Sequence, residues 1–183
     1  EGGWSEPFVG DFLHAQGLRD RVHLVTKLSP WMVRTREDME RIFDHQLRRL
    51  RTDHLDLYLL HAMTLDQWRH LESLGVIPFL EARLRDGRIR HAGFSFHSAP
   101  GELPLLLDAW DRWEVVQVQY NYLDRNFQGG RTALDLRQRY GYGVAVMEPL
   151  KGGNLGDRMP DPIREILTQA GIVGSPARTA LRW

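Results

Sequence analysis

The sequence predicts an α/β fold of parallel strands joined by helices, read as a (β/α)8 barrel of which about five of the eight strands are present. Three observations predict it. Short β-branched or aliphatic runs alternate with longer segments whose apolar residues recur at helical spacing. Runs such as Asp56-Leu-Tyr-Leu-Leu60 are continuously apolar after their first residue rather than alternating, as strands covered on both faces are. Five strand candidates in succession carry polar residues at or just after their C-terminal ends, the pattern of a barrel whose strand ends build one rim. An open dinucleotide-binding sheet would carry a Gly-x-Gly-x-x-Gly turn after an early strand, and nothing like it follows the first two.

The elements follow in order. Ser5 is the expected N-cap of a helix over Glu6–Gln16, with Phe8, Val9, Phe12 and Leu13 inward and Gly17 as its stop. Strand Val22–Lys27 comes next. Thr35 caps a helix carrying Met39, Ile42, Phe43, Leu47 and Leu50 on one stripe, and its basic end, Arg48, Arg49 and Arg51, suits the negative pole of the helix. Strand Leu55–His61, helix Val76–Asp86 ending at Gly87, strand His91–Phe96 and helix Glu102–Trp110 continue the alternation. Strand Val115–Tyr120, helix Arg131–Tyr140 ending at Gly141 and strand Gly143–Met147 complete it. Gly152, Gly153, Gly156 and Pro160 mark Lys151–Asp161 as a loop before helix Pro162–Ala170, and Ser175 with Pro176 opens one more helix. On this reading the rim carries Lys27, His61, Ser95, His97, Gln117, Gln119, Asn121, Glu148 and Lys151.

Composition narrows the function. The 183 residues are 42% hydrophobic and 26% charged, and no apolar run approaches the roughly 18–20 residues of a membrane helix. The 24 basic residues cancel the 24 acidic ones, so no net field favours nucleic acid or an anionic membrane, and neither is expected as a partner. With no cysteine there is no disulfide, thiolate metal site or iron–sulfur ligation within the chain, which fits a reducing, cytoplasmic setting. His14, His23, His45, His54, His70 and His91 show no metal-ligand spacing and read as surface or cap residues. A (β/α)8 barrel needs about 250 residues, so residues 1–183 are expected to be a single partial barrel domain, truncated at both ends. Glu1 in place of an initiator Met and Trp183 inside a helix agree with that expectation.

A resemblance now becomes visible. Val25-Thr-Lys27 closing a strand, Asp56-Leu-Tyr-Leu-Leu-His61, Gly93-Phe-Ser95, Gln117 and Met147-Glu-Pro-Leu-Lys-Gly-Gly153 together resemble the aldo-keto reductases, in order and from end to end. Gly93-Phe-Ser-Phe-His97, Val115-Val-Gln-Val-Gln-Tyr-Asn-Tyr-Leu-Asp124 and the Met147–Gly153 run are similar to the branch whose barrel is often followed by a cysteine-rich iron–sulfur module.

The resemblance implies an oxidoreductase that transfers hydride from a nicotinamide cofactor to an aldehyde or ketone. The cofactor it implies is usually NADP(H), with NAD(H) the alternative, and the partner is a small carbonyl or alcohol substrate. Lys27 and His61 match the Lys and His of the family's Asp-Tyr-Lys-His tetrad, in which the Lys lowers the pKa of a proton-donating Tyr and the His orients the carbonyl. The Asp and Tyr have no counterpart in this chain. The family's Tyr stands a few residues ahead of a turn like Gly2-Gly-Trp-Ser-Glu6, so it is expected at or just before Glu1, and the chain alone is expected to be inactive. Ser95 and Gln117 match the positions holding the nicotinamide carboxamide, Met147 the position packing on its ring, and Glu148, Pro149 and Leu150 the loop around the pyrophosphate. Phe96 departs from the Asn that many members carry, and Met147 from their aromatic. Tyr58 and Tyr120 read as core residues rather than substitutes for the acid. His97 is open to facing substrate or closing its strand, and Trp31, Trp68, Trp110 and Trp113 to core packing or lining the mouth. Two other readings remain: a non-catalytic cofactor-binding or redox-sensing barrel, and an unrelated complete five-stranded α/β binder.

Overall fold

The computed structural model describes residues 3–172 and 174–183. Five parallel strands form one sheet: β1 Val25–Leu28, β2 Leu55–Met63, β3 Ile89–Phe96, β4 Val115–Gln119 and β5 Gly143–Met147. Their spatial order is the chain order, β1-β2-β3-β4-β5. Parallel crossovers are right-handed, so strands added always on the same side place all their crossover helices on one face. A doubly wound sheet reverses direction once and puts helices on both faces. No reversal occurs among the described residues, so this is the order of five consecutive strands of a (β/α)8 barrel rather than a complete open sheet.

The strand register separates the two faces, because side chains alternate along a strand and paired residues point the same way. Leu28, Leu60, Phe94 and Val116 form one row on the helix side, all essentially buried. Phe94 packs edge-on against Trp113 at 5.0 Å between ring centres, and Tyr58 against Phe43 at 5.1 Å. The opposite row, Lys27, Leu59, Gly93, Val115 and Gly143, faces the barrel interior. Gly93 has to be a glycine there, since a Cβ would run into the Val115 carbonyl and the Leu59 side chain.

The helices are α1 Ser5–Gln16, α2 Arg36–Leu50, α3 Leu65–Ser73, α4 Val76–Arg85, α5 Leu103–Asp108, α6 Gly130–Tyr140, α7 Asn154–Asp157, α8 Asp161–Gln169 and α9 Pro176–Arg182. Thr35 caps α2 in a reciprocal capping box with Asp38, whose carboxyl is pulled down to about 2 by the Arg41 guanidinium and by the Arg34 and Thr35 main-chain N–H groups. Met39, Ile42, Phe43, Leu47 and Leu50 are the buried stripe of α2, as their spacing predicts.

Several expectations are corrected. Ser5 is the first residue of α1 rather than its cap, and Trp4 at the cap position makes no capping bond. Of the turn Gly2–Glu6, Gly2 lies outside the described residues, as does Glu1. Phe8 and Phe12 are exposed rather than inward. The first strand begins at Val25, not Val22, because the Leu24 N–H is taken by the buried Asp56 carboxylate before the ladder starts. Residues expected to be loop after Lys151 include the short helix α7, and the predicted helix at Glu102 splits into a 3₁₀ turn and α5. Helix α3 is additional; its signal is Thr64-x-x-Gln67, which closes a second capping box. Arg49 pairs with Glu6, Arg88 with Asp44 and Asp86, and Arg90 with Asp56.

Tyr58 ties three elements together behind the sheet. Its hydroxyl donates to Gln46 Oε1 at 2.8 Å, and Gln46 Nε2 donates to the carbonyl of Lys27 at 2.8 Å. Tyr58→Phe leaves the Gln46 oxygen buried without its donor, an expected loss of about 1–3 kcal/mol. Urea denaturation of the variant should show a lower midpoint with an unchanged slope.

Candidate functional site

Lys27 is half-buried near the end of β1, its main chain fixed from behind by Gln46. Two positions beyond Leu59 on β2 comes His61, at a break in the register. Leu60 pairs with Phe94 but Met63 with Phe96, so three steps on β2 match two on β3. The extra residue is a β-bulge, a device that re-aims side chains beside functional sites. Ala62 within it has φ of 54°, the left-handed region that a non-glycine residue rarely adopts. The His61 ring lies 5.1 Å from the Trp31 ring, with Nδ1 3.4 Å from Ser29 Oγ.

Ser95 and Gln117 are register partners with Ala145 on the interior face, two residues beyond the Gly93–Val115 row. Ser95 Oγ accepts the Ala62 N–H at 2.7 Å and is 1% exposed. Gln117 Oε1 is buried and has no hydrogen-bond partner among the described residues. A buried acceptor in that condition costs stability unless a ligand satisfies it, which marks the position as built for a donor. Gln119 and Met147 pair one step further toward the rim. Phe96, by alternation, points to the helix side and lies under Gly129, so it is core and takes no part in this face.

The loops after β4 and β5 are laced together. Asn121 is buried; its Oδ1 accepts from the Leu123 and Asp124 N–H groups, and its Nδ2 donates to the Glu148 carbonyl at 3.2 Å. Lys151 Nζ sits 2.7 Å from Asp124 Oδ2, and that contact holds the Asp124 carboxyl below its ordinary range. Glu148 and Lys151 both adopt positive φ, 57° and 49°, so the Glu148-Pro149-Leu150 segment turns sharply off the top of β5. Of the 24 basic residues only Lys27 and Lys151 are lysines, and both stand at this rim.

The structure therefore brings Lys27, His61, Ser95, Gln117 and Met147 onto one face, with Glu148, Pro149 and Leu150 in the loop leaving it. Trp31 is 59% exposed beside His61 and lines the mouth, while Trp68, Trp110 and Trp113 are core. His97 Nδ1 contacts Gln128 Oε1 at 2.9 Å. Tyr58 is wholly buried on the helix side; burial, with Glu6 and Glu40 adding to it, pushes its hydroxyl well above the usual 10 and excludes it as an acidified proton donor. Tyr120 stacks on Trp183 at 5.1 Å. Among the described residues no group of three metal-ligating side chains exists and no helix is long and apolar enough to cross a membrane.

The sequence profile of the aldo/keto reductase family matches residues 2–183. The chain is 33% identical over 147 residues to the glyoxal reductase of Bacillus subtilis, covering 77% of this chain and 46% of that protein. Among solved structures it resembles the holo form of an aldo-keto reductase from Bacillus halodurans, with 31% identity, a TM-score of 0.67, and 85% of this chain and 49% of that one covered. It also resembles an aldo/keto reductase from Klebsiella pneumoniae in complex with NADP and acetate, with 26% identity, a TM-score of 0.69, and 97% and 60% covered. The chain spans less than half the length of the curated relatives it matches.

Proposed function

From the premise that this chain belongs to the aldo/keto reductase family, we propose that it forms the central part of an NADP(H)-dependent oxidoreductase that reduces a small aldehyde or ketone. The observation carrying this reading is the common face of Lys27, His61, Ser95 and Gln117, with the Gln117 oxygen buried and unsatisfied. The donor set fits a nicotinamide carboxamide. Gln117 Oε1 would accept its amide N–H, the Ser95 O–H would donate to its oxygen, and Met147 would pack its polarizable thioether against the ring face. Glu148, Pro149 and Leu150 bound the pyrophosphate side. When bound, the nicotinamide supplies the hydride.

The chain's own residues then act on the proton and the carbonyl. Lys27 holds a positive charge beside the proton donor, and His61 orients the carbonyl oxygen. The donor itself is a tyrosine on a segment preceding Glu1, a reading supported by the likeness of Gly2–Glu6 to the turn that follows that tyrosine in the family. The chain of residues 1–183 alone therefore turns over no substrate. The similarity of Gly93–His97 and Met147–Gly153 to the branch with an iron–sulfur module extends the proposal to such a module elsewhere in the protein.

The test is direct. The intact protein mixed with NADPH and a panel of aldehydes should oxidise the cofactor, and residues 1–183 alone should not. Gln117→Leu should weaken NADP⁺ binding by about tenfold, the value of one well-made hydrogen bond. A coding sequence with no Tyr within ten residues upstream of Glu1 would overturn the assignment of the proton donor.

A further inference from the structure

We propose that Ser95 is a positioning residue for His61, so that one hydroxyl couples the cofactor site to the residue facing the substrate carbonyl. The inference rests on the reductase reading for the identity of the cofactor and the role of His61, and on the β2 bulge for the link between Ser95 and His61. The bulge takes the Ala62 N–H out of the β2–β3 ladder. An N–H withdrawn from its ladder in a part-buried position is best served by another acceptor. Ser95 Oγ supplies it at 2.7 Å, from a residue that is itself 1% exposed. Ala62 is the residue after His61 and sits at φ of 54°, a conformation that persists only where its surroundings fix it. The Ser95 bond is the fixing contact on the β3 side, while Ser29 and Trp31 bound the His61 ring on the other.

The donor and acceptor inventory gives the coupling its direction. A serine hydroxyl has one O–H to donate and lone pairs to accept with. Ser95 accepts from Ala62 with one lone pair and keeps its O–H to give, which suits the carboxamide oxygen. Gln117 Oε1, an acceptor without a partner among the described residues, takes the amide N–H. A hydroxyl that donates becomes a better acceptor, because consecutive hydrogen bonds polarise one another. Filling the carboxamide site therefore tightens the bond that sets the bulge and holds His61 in one orientation. By linkage the effect is reciprocal: a well-placed His61 favours the filled carboxamide site.

The closing experiment reads the His61 ring by NMR in the intact protein without cofactor, its resonances assigned by their loss in His61→Gln. Ser95→Ala should shift and broaden the His61 ring signals while those of His54 and His70, which have their own partners, stay in place. Ser95→Thr keeps the hydroxyl and should restore the wild-type signals. Ser95→Cys, of similar shape but a weak acceptor, serves as a second removal of the bond and should behave like Ser95→Ala. Saturating NADP⁺ should sharpen His61 in wild type and Ser95→Thr and leave it broad in Ser95→Ala. With cofactor saturating, Ser95→Ala should lower kcat by about 10–100-fold, the scale of a misplaced reacting group. His61 signals in Ser95→Ala that superimpose on wild type would overturn the proposal. Failure of the wild type to bind NADP⁺ or to reduce any carbonyl would overturn the reductase reading instead, and the cofactor-free comparison would still decide the role of Ser95.

Discussion

Lys27→Met should lower the turnover of the intact protein by about 10²–10⁴-fold, the usual contribution of a positioned general acid, with NADPH binding unchanged. A tyrosine has an intrinsic pKa of about 10 and donates poorly to a developing alkoxide at neutral pH. A cation about 4 Å from the phenol in a medium of effective dielectric about 20 favours the phenolate by roughly 4 kcal/mol, which lowers the pKa by about three. Lys27 fits that task. Its stem rises from the interior face of β1, and its main chain is clamped by the Gln46–Tyr58 pair. Arginine does not substitute, since a planar guanidinium is larger and cannot place one compact charge on the same spot. This gains weight from composition, because a chain that meets almost every other cationic need with arginine keeps lysine here. Initial rates of NADPH oxidation would measure the loss, and in the residual activity the alkaline limb of the pH profile should move up toward the unperturbed tyrosine value. Lys27→Met activity within tenfold of wild type would remove Lys27 from the mechanism.

The strands were legible because each is a short run rich in apolar residues with polar ones at or just past its end, a signature that a parallel strand covered on both faces leaves. The common face of Lys27, Ser95 and Gln117 followed from the same reading, since strand ends on one rim point inward by alternation. The bulge at Ala62 was not legible. Alanine is not a residue that announces positive φ, and the hydroxyl that stabilises it lies 33 positions away on β3. Helix α3 went unread although Thr64-x-x-Gln67 spells a capping box, because its apolar residues, Leu65, Trp68 and Leu71, are too few to stand out as a stripe. Ser5 misled in the opposite sense. A serine before an apolar segment is a cap only if its own backbone is non-helical, whereas Ser5 lies inside α1 and even Trp4 before it is near-helical at φ −89° and ψ −23°. The loop after β5 was recognisable by its glycines, but its lacing to the β4 loop by Asn121 and Lys151 depends on side chains whose partners lie 27 residues away.

The least legible feature has the largest expected effect on stability. Asp56→Ala should destabilise the protein by about 3–5 kcal/mol, the cost of breaking a buried ion pair from one side. Asp56 stands second in a run that otherwise reads as pure core, and it is buried. Its Oδ2 accepts the Leu24 N–H at 2.8 Å and faces Arg19 Nη2 at 3.0 Å, while Oδ1 faces Arg90 Nη1 at 3.1 Å. One carboxylate thus joins the approach to β1, the start of β2 and the start of β3. Arg19 is largely buried and also bonds Thr52 and the His54 carbonyl, so without Asp56 it keeps its hydrogen bonds but loses its counter-charge. Burial pushes the Asp56 carboxyl up, yet the Leu24 N–H and the two arginines pull harder and leave it below its ordinary 3.8. The sign of the pH dependence follows. A carboxyl with a depressed folded value contributes its full stability above the unfolded value near 4 and loses it as pH falls through the lower folded value. Wild-type stability should therefore fall on acidification below about pH 4, and Asp56→Asn, which keeps one acceptor but no charge, should start lower and lose less over the same range. Urea midpoints at pH 7 and pH 3 for the three proteins measure both quantities. Parallel losses in wild type and Asp56→Asn would show that the ionised carboxylate does not hold these strand starts together.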